Sequence, residues 1–403
     1  MQKKEMLGEM IRFGIVGTTA TVVGFDAKRI VRNGTGLGSY GRTLVNDLAE
    51  IQNLQLRLYA PDKGRDDLRG QISDRPNVAF CYPSNIENRT SKIAPRSSLL
   101  ASYWRTRGIV GDLRRDGVQI FHGLSGELPV GIRKSGIRSV VTIHDLIFLR
   151  HPEFYHWIDT KIYAWKFRQT IREADHIIAI SECTKRDIME LGNVDESRIS
   201  VIYQSFSPRF SAKVEPESLE SVRQRYQLPK RFMLSVGSIE ARKNILLAVK
   251  ALAHLPEEIS LVVVGRRTKY ADKVLEFAKK QGLTARVRFF HGVPDDDLPA
   301  FYALAETFVY PSVYEGFGIP IIEAIGCGLP VVACTGSCLE EAGGPASLYV
   351  APDDKRALAD VITKTLPGAE GREQRICQSQ DYIRRFRGTD VARQVAELYQ
   401  SLL

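Results

Sequence analysis

At 403 residues and 45.2 kDa the chain is too long for one ordinary hydrophobic core, and at ~100–200 residues per domain it divides into two or three. Its 44% hydrophobic and 26% charged residues are the balance of a globular protein, which excludes collagen-like, intrinsically disordered and disulfide-scaffold classes. Of the formal net charge of +9, eight units fall on residues 1–210 (31 Lys and Arg against 23 Asp and Glu), so positive potential is concentrated in the N-terminal half.

The first apolar stretch, Ile11–Phe25, is interrupted by Arg12 and three threonines and reads as one or two short strands, neither a secretory leader nor a membrane span. Apolar runs separated by turn residues and helical periodicity then predict strands at Val22–Phe25, Leu54–Tyr59, Val78–Cys81, Val118–Phe121, Ser139–Ile143, His176–Ile180 and Ile199–Tyr203. Helical periodicity lies between them, as in Gly38–Glu50 and His156–Glu173. From Ser205 to Leu228 the rhythm breaks at Ser207-Pro208 and Glu215-Pro216. It resumes with strands at Phe232–Val236, Ser260–Val264, Val287–Phe290, Thr307–Tyr310 and Pro330–Ala333, alternating with helices such as Lys243–Ala253, Tyr270–Gln281 and Pro320–Cys327. A last helical stretch runs from about Gln374 to Leu403 with a break near Gly388. Repeated strand–helix alternation implies two α/β domains with parallel sheets, 1–208 and 209–388, and a closing helix at 389–403. The six scattered cysteines form no CxxC pair, so they read as small buried side chains in a reducing cytoplasm. No nucleic-acid-binding module is present.

Four segments carry chemistry. Gly34–Gly41 contains GxGxxG at Gly36, Gly38 and Gly41, and such a loop lets backbone N–H groups approach a phosphate or a substrate. It does not follow its strand directly, because Ala27–Asn33 intervenes, which weakens a dinucleotide reading that would use Asp62 as the ribose acid. His144 and Asp145 follow a strand at the end where α/β enzymes place cleft residues, whereas His122, similarly placed, reads as structural. Arg242 and Lys243 stand at a helix N-terminus, where the macrodipole disfavours cations unless an anion lies between them and the free N–H groups. Finally, YPSVYEGFGIPIIEA (Tyr310–Ala324) places Glu315 on a Gly-rich turn and Glu323, after seven intervening residues, in the first turn of an apolar helix starting at Pro320. Two carboxylates in a buried unit are costly unless they accept hydrogen bonds from hydroxyls or from cations. Asp295–Asp297 reads as a helix-capping surface turn, not a metal site.

The PSVYEGFGIPIIEA segment followed by GCGLPVVA resembles the signature of the retaining glycosyltransferases of family 4. GTGLGSYGR, TIHDL, HIIAISECTKRDI, VGSIEARKN and FHGVPDDDLPAFYALAETFVYPS resemble other segments of that family in the same order. The resemblance implies a GT-B fold, two Rossmann-like domains facing across a cleft, with acceptor on the N-terminal domain and nucleotide sugar on the C-terminal one. It implies that Arg242 and Lys243 bind the donor diphosphate, that Glu323 accepts the ribose hydroxyls, and that Glu315 with the backbone of Gly316, Phe317 and Gly318 holds the donor sugar. His144 would line the reaction centre, Gly36 and Gly38 would let the acceptor domain approach the phosphates, and the last helix would return to the N-terminal domain. Catalysis is then assigned to His144, Glu315, Arg242 and Lys243. No metal and no cofactor besides the donor are expected. One residue departs from the pattern: many relatives have a cation where this chain has Ser238, which leaves more of the diphosphate charge to Arg242 and Lys243. Residues 1–20 have no counterpart in it.

The activity that follows is transfer of a hexose, mannose as the leading choice, to a glycan or lipid-linked acceptor in surface polysaccharide synthesis. The basic N-terminal half would suit an enzyme resting on the inner membrane leaflet. The competing readings are a nucleotide-sugar or dinucleotide-binding protein without turnover, and a dehydrogenase built on the glycine loop and Asp62.

Overall fold

The computed structural model describes residues 20–83 and 100–403, so most of the Ile11–Phe25 stretch lies outside the described residues. Seven strands, β1 (Thr21–Asp26), β2 (Leu54–Tyr59), β3 (Val78–Cys81), β4 (Ile120–Gly123), β5 (Arg138–Ile143), β6 (His176–Ala179) and β7 (Ile199–Val201), form one sheet in the order 3-2-1-4-5-6-7. Six more, β8 (Arg231–Val236), β9 (Ile259–Val264), β10 (Val287–Phe290), β11 (Thr307–Tyr310), β12 (Val331–Cys334) and β13 (Leu348–Val350), form a second in the order 10-9-8-11-12-13. Every pairing in both is parallel. With helices on both faces a central strand has no wet side, and every residue of β9 (ISLVVV) is buried. Each sheet reverses its order beside its first strand, which opens a crevice at the carboxyl ends of β1 and β4 in one domain and of β8 and β11 in the other.

The twelve expected strands all form. Val118–Phe121 is displaced to Ile120–Gly123, because Gln119 spends its backbone N–H on Val22 O and its side-chain Oε1 on Val22 N–H before the ladder begins. His122 therefore lies inside β4 rather than after it. The thirteenth strand, β13, escaped notice because three residues at a sheet edge carry no periodicity.

The last helix, Gly388–Leu402, crosses back to the N-terminal domain and packs on the helix Gly36–Leu48. Val391, Ala392, Val395, Ala396 and Tyr399 sit in the same apolar cluster as Val23, Phe25, Leu44, Val45 and Leu56. His122, fully buried, holds its side chain to Tyr399 OH (2.6 Å from Nδ1) and to Thr142 Oγ1 (2.8 Å from Nε2). Burial pushes its pKa down to about 3, so the ring is neutral and serves as a two-ended clamp, as the structural reading of it expected. A second apolar cluster ignores the domain boundary. It joins Ile147, Ile180 and Cys183 of the first domain to Tyr314, Phe317, Leu339 and Phe386 of the second.

Tyr399→Phe removes the hydroxyl and leaves a buried imidazole nitrogen without a partner. The expected cost is about 1–3 kcal/mol, read as a lowered midpoint in urea unfolding with an unchanged slope.

Candidate active site

After β8 the chain turns at Gly237 (φ 145°), makes one 3₁₀ turn at Ala241–Lys243, and passes through Asn244 in the left-handed region (φ 52°) into the helix Ile245–Leu252. Asn tolerates that conformation better than most residues, and its side-chain N–H donates to Pro352 O at 2.7 Å. Arg242 and Lys243 thus stand just ahead of the helix, not at its first turn. The loop after β11 is tied to this turn by Val313 N–H on Arg242 O (2.9 Å) and by Arg242 Nη1 on Tyr314 O (3.1 Å).

These two loops bring together what the sequence set apart. Glu315, 8% exposed, is 2.6 Å from Arg242 Nη1 through Oε2 and 2.6 Å from Lys243 Nζ through Oε1. Lys243 also donates to Tyr310 OH at 2.5 Å and lies 4.8 Å from the Tyr310 ring centre. Burial alone would raise the Glu315 pKa, but Lys243 and Arg242 outweigh it and hold the carboxyl below its ordinary value. Burial would likewise lower Lys243, and Glu315 keeps it above its ordinary value. Both cations converge on this one carboxylate, and Arg242 Nη2 also lies 3.8 Å from Glu240 Oε2, so the charges in the floor of the cleft are held in close balance in a poorly solvated place. Asp145, given no role of its own in the sequence, lies within the field of Arg242, Glu315 and Lys243, and burial raises its pKa.

Glu323 is not in the first turn of its helix. Ile319 and Pro320 are the first two residues of Ile319–Gly326, with Gly318 (φ 123°) capping it, so Glu323 falls in the second turn. It faces Tyr302 OH at 3.0 Å, and burial pushes its pKa up to about 7. The side chain of Phe317 points away from the cleft into the interdomain core, with ring centres 5.5 Å from Tyr203 and 5.2 Å from Phe386, so only its backbone remains for a ligand. The turn itself is held by Cys338, whose thiol donates to Glu315 O (3.1 Å) and Phe317 O (2.9 Å). Asp297 does not cap its helix; Arg225 (2.8 Å) and Tyr226 OH (2.7 Å) take its carboxylate.

His144 reaches the same place from the N-terminal domain. Its Nε2–H donates to Leu124 O (2.8 Å), its Nδ1 accepts from Gln204 Nε2–H (2.7 Å), and Tyr40 packs edge-on at 4.8 Å. Burial pushes its pKa down to about 4, so it is neutral near pH 7 and its tautomer is fixed by the carbonyl. The glycine segment is helix rather than loop: Gly36–Leu48 begins at Gly36, and a short helix, Lys28–Arg32, fills the gap after β1. A Cβ on Gly38 would fall 1.8 Å from Asn33 O, whereas one on Gly36 would meet nothing within 4 Å. Gly38 thus has a packing requirement of its own, and Gly36 faces open space. Asp62 pairs with Arg32 and accepts Gly64 N–H, which leaves no ribose acid for a dehydrogenase.

Gly316 closes the cleft. A Cβ there would lie 1.9 Å from His144 O, so the Glu315–Gly318 turn touches the backbone of the histidine segment. Ser181 Oγ donates to Gly316 O (2.7 Å), and Glu341 of the second domain accepts the N–H groups of Glu182 (2.7 Å) and Cys183 (2.9 Å) at the start of the helix Glu182–Gly192. Tyr314 OH donates to buried Asp187 at 2.8 Å. None of these cross-domain partners was visible in the sequence, since each pairs residues more than a hundred positions apart.

Two Rossmann-like domains thus face each other across a crevice that holds a cationic cluster and two carboxylates. Two family models match the chain: Glycosyltransferase Family 4 over residues 34–208 and Glycosyl transferases group 1 over residues 220–381. The chain is 31% identical over 378 residues to O-antigen chain mannosyltransferase B of Escherichia coli, covering 91% of this chain and 96% of that protein. It is 26% identical to O-antigen chain mannosyltransferase RfbU of Salmonella typhimurium, covering 86% and 92%. Among solved structures, Alr3699/HepE of Anabaena in complex with UDP superposes with a TM-score of 0.71 at 18% identity (95% of this chain, 100% of that one). WaaG, a glycosyltransferase involved in lipopolysaccharide biosynthesis, gives 0.67 at 18% (94% and 99%). The chain belongs to the group 1 glycosyltransferases, and its fold is GT-B.

The two glycines separate packing from ligand approach. Gly36→Ala should leave the melting temperature unchanged and reduce turnover, whereas Gly38→Ala should lower the melting temperature itself. Differential scanning calorimetry beside an activity assay reads both.

Proposed function

We propose that this glycosyltransferase moves a hexose, mannose in the first instance, from a nucleoside-diphosphate donor to a lipid-linked glycan in surface polysaccharide synthesis, with the anomeric configuration retained. The observation that carries the donor assignment is the Arg242–Glu315–Lys243 cluster, in which two nearly buried cations stand 2.6 Å from the same carboxylate. The printed names of the relatives, O-antigen chain mannosyltransferases, support mannose and a surface polysaccharide, and HepE, caught with UDP, supports a nucleoside diphosphate in a cleft of this shape.

As the donor bond from C1 to the phosphate oxygen breaks, the diphosphate leaves with the electron pair. Arg242 and Lys243 hold charge where it develops, the preorganised electrostatic effect that is usually the largest part of catalysis. The acceptor oxygen bonds to C1 on the face the diphosphate leaves, and its proton passes to a phosphate oxygen. Binding the diphosphate draws the two cations away from Glu315, whose freed carboxylate then accepts hydroxyl hydrogens of the donor sugar. His144, neutral and engaged at both nitrogens, contributes shape and a wall rather than a proton. Glu323 accepts the ribose hydroxyls. The reaction as written uses no cofactor and no metal.

The deciding experiment is a thermal-shift panel of GDP, UDP, ADP and NAD. One nucleoside diphosphate at a hundred times its dissociation constant should stabilise the protein by about 2.7 kcal/mol. Arg242→Ala and Lys243→Ala should each abolish that shift and turnover with it. A shift with NAD alone, or full turnover in either variant, overturns the assignment.

Glu323 supplies a pH signature. Its pKa near 7 means that free enzyme holds a proton there at pH 6, while ribose hydroxyls bind the ionised form. Nucleotide affinity should therefore rise with pH up to about 7 and level off above it, with proton release on binding at pH 6. Calorimetry in buffers of different ionisation enthalpy detects that proton, and Glu323→Gln should remove both the release and the slope.

A further inference from the structure

We infer that the outward face of the helix Trp157–Glu173 is a docking surface for an anionic lipid bilayer. Of the eight large apolar side chains exposed among the described residues, five lie on this one helix: Trp157 is 63% exposed, Trp165 64%, Ile162 46%, Ile158 45% and Tyr163 43%. Helical spacing places Trp157, Lys161, Trp165, Arg168 and Arg172 on one stripe, with Ile158 and Ile162 beside it. All three cations are exposed, and Lys161 Nζ lies 4.9 Å from the Trp157 ring centre. No carboxylate shares the stripe. Asp159 projects from another side of the helix, and Glu173 is turned to the body of the domain, accepting Gly131 N–H (3.0 Å) and Arg133 N–H (3.3 Å).

The opposite side of the helix is firmly seated. Phe167 and Thr170 are buried, Thr170 Oγ1 donates to Gly126 O at 3.1 Å, and Lys166 pairs with Glu127 at 2.9 Å. The patch is thus presented by a fixed helix, and a contiguous exposed apolar stripe is a surface with a partner. Indole rings and branched aliphatics flanked by Lys and Arg match the boundary between headgroups and acyl chains: the rings insert, and the long basic side chains reach anionic phosphates. A second copy of the chain would have to press two basic stripes together, which their charge opposes. The surrounding N-terminal half, with its excess of Lys and Arg, is attracted to the same negative surface.

The placement also suits the cleft. The helix follows His144 through one short helix and a 3₁₀ turn, and His151, just before it, has its ring centre 4.9 Å from that of Tyr314 on the donor-side loop. The Trp157 end therefore lies near the boundary between the domains, and docking there would hold that boundary close to the headgroups. That purpose rests on the lipid-linked acceptor proposed above; bilayer binding itself requires neither donor nor acceptor.

The test is co-sedimentation of the full chain with vesicles of phosphatidylcholine alone and of phosphatidylcholine with phosphatidylglycerol. Binding should need the anionic lipid and weaken with salt. The triple variant Lys161→Glu, Arg168→Glu, Arg172→Glu should lose roughly 100-fold in vesicle affinity, at about 1 kcal/mol for each cation. Trp157→Ala with Trp165→Ala should lose at least roughly tenfold, and both variants should keep the nucleotide-induced thermal shift that reports an intact fold. Equal binding to both vesicle types, or wild-type binding by either variant, overturns the surface. So does a lipid-free dimer, seen by analytical ultracentrifugation, that the same substitutions split. Because the vesicles carry no acceptor, anionic-lipid binding without transfer to any lipid-linked glycan would refute the acceptor reading and leave the surface standing.

Discussion

The ion triad Arg242–Glu315–Lys243 is the interaction on which the arrangement of the second domain depends. Burying three charges costs several kcal/mol each in desolvation, and the attraction between them offsets that only with close geometry and further hydrogen bonds. The two loops that carry the triad supply both: Val313 bonds Arg242 through the backbone, Arg242 bonds Tyr314 O, and Tyr310 accepts from Lys243. A folding protein that needed only stability would do better with apolar side chains here. The triad makes physical sense as a site held ready, in which one carboxylate keeps two cations in place until a more negative ligand takes them.

The same turn forms the contact between domains. Because Gly316 lacks a side chain, the backbone of the loop after β11 can press on the His144 carbonyl, and Ser181 accommodates the closeness by donating to Gly316 O. Glu341 adds a charge-assisted contact by capping the helix Glu182–Gly192 from across the boundary, where the macrodipole favours a carboxylate. At this contact the two domains meet main chain to main chain, Gly316 against the His144 carbonyl. The interdomain apolar cluster around Phe317, Tyr203 and Phe386 makes this closed arrangement a packed one rather than a chance approach.

Much of this was legible in the sequence because it is local. Strand–helix alternation gave the two sheets, and Arg242, Lys243, Glu315 and Glu323 each sit at a strand end or in the helix that follows, where the chain's own order places them in a crevice. The glycine segment misled for a physical reason. Gly36, Gly38 and Gly41 look like a loop, but Gly38 and Gly41 are small because the helix Lys28–Arg32 and its exit press against them, at Asn33 O and Ile30 Cγ1. Phe317 misled in the opposite way, since a residue inside a ligand-binding motif can spend its side chain on the core and offer only backbone. What stayed hidden was long-range: Gln204 on His144, Glu341 on the helix of Glu182, and Tyr302 on Glu323 depend on tertiary placement that no local pattern encodes.

The returning helix ties the histidine side of the cleft into a buried network of its own. Tyr399 reaches His122, His122 reaches Thr142, and Thr142 Oγ1 meets Tyr40 OH at 3.1 Å, while the Tyr40 ring supports His144 edge-on. Each member of this chain is buried or half-buried, so each polar atom must find its partner or cost the desolvation of an unmet group. A helix that belongs by sequence to the end of the second domain thereby fixes the His144 ring of the first. His144 has no free nitrogen and a depressed pKa, so its contribution has to be geometric. A residue of that kind is only as good as the network that holds it, and here the network is anchored in the segment that joins the two domains a second time.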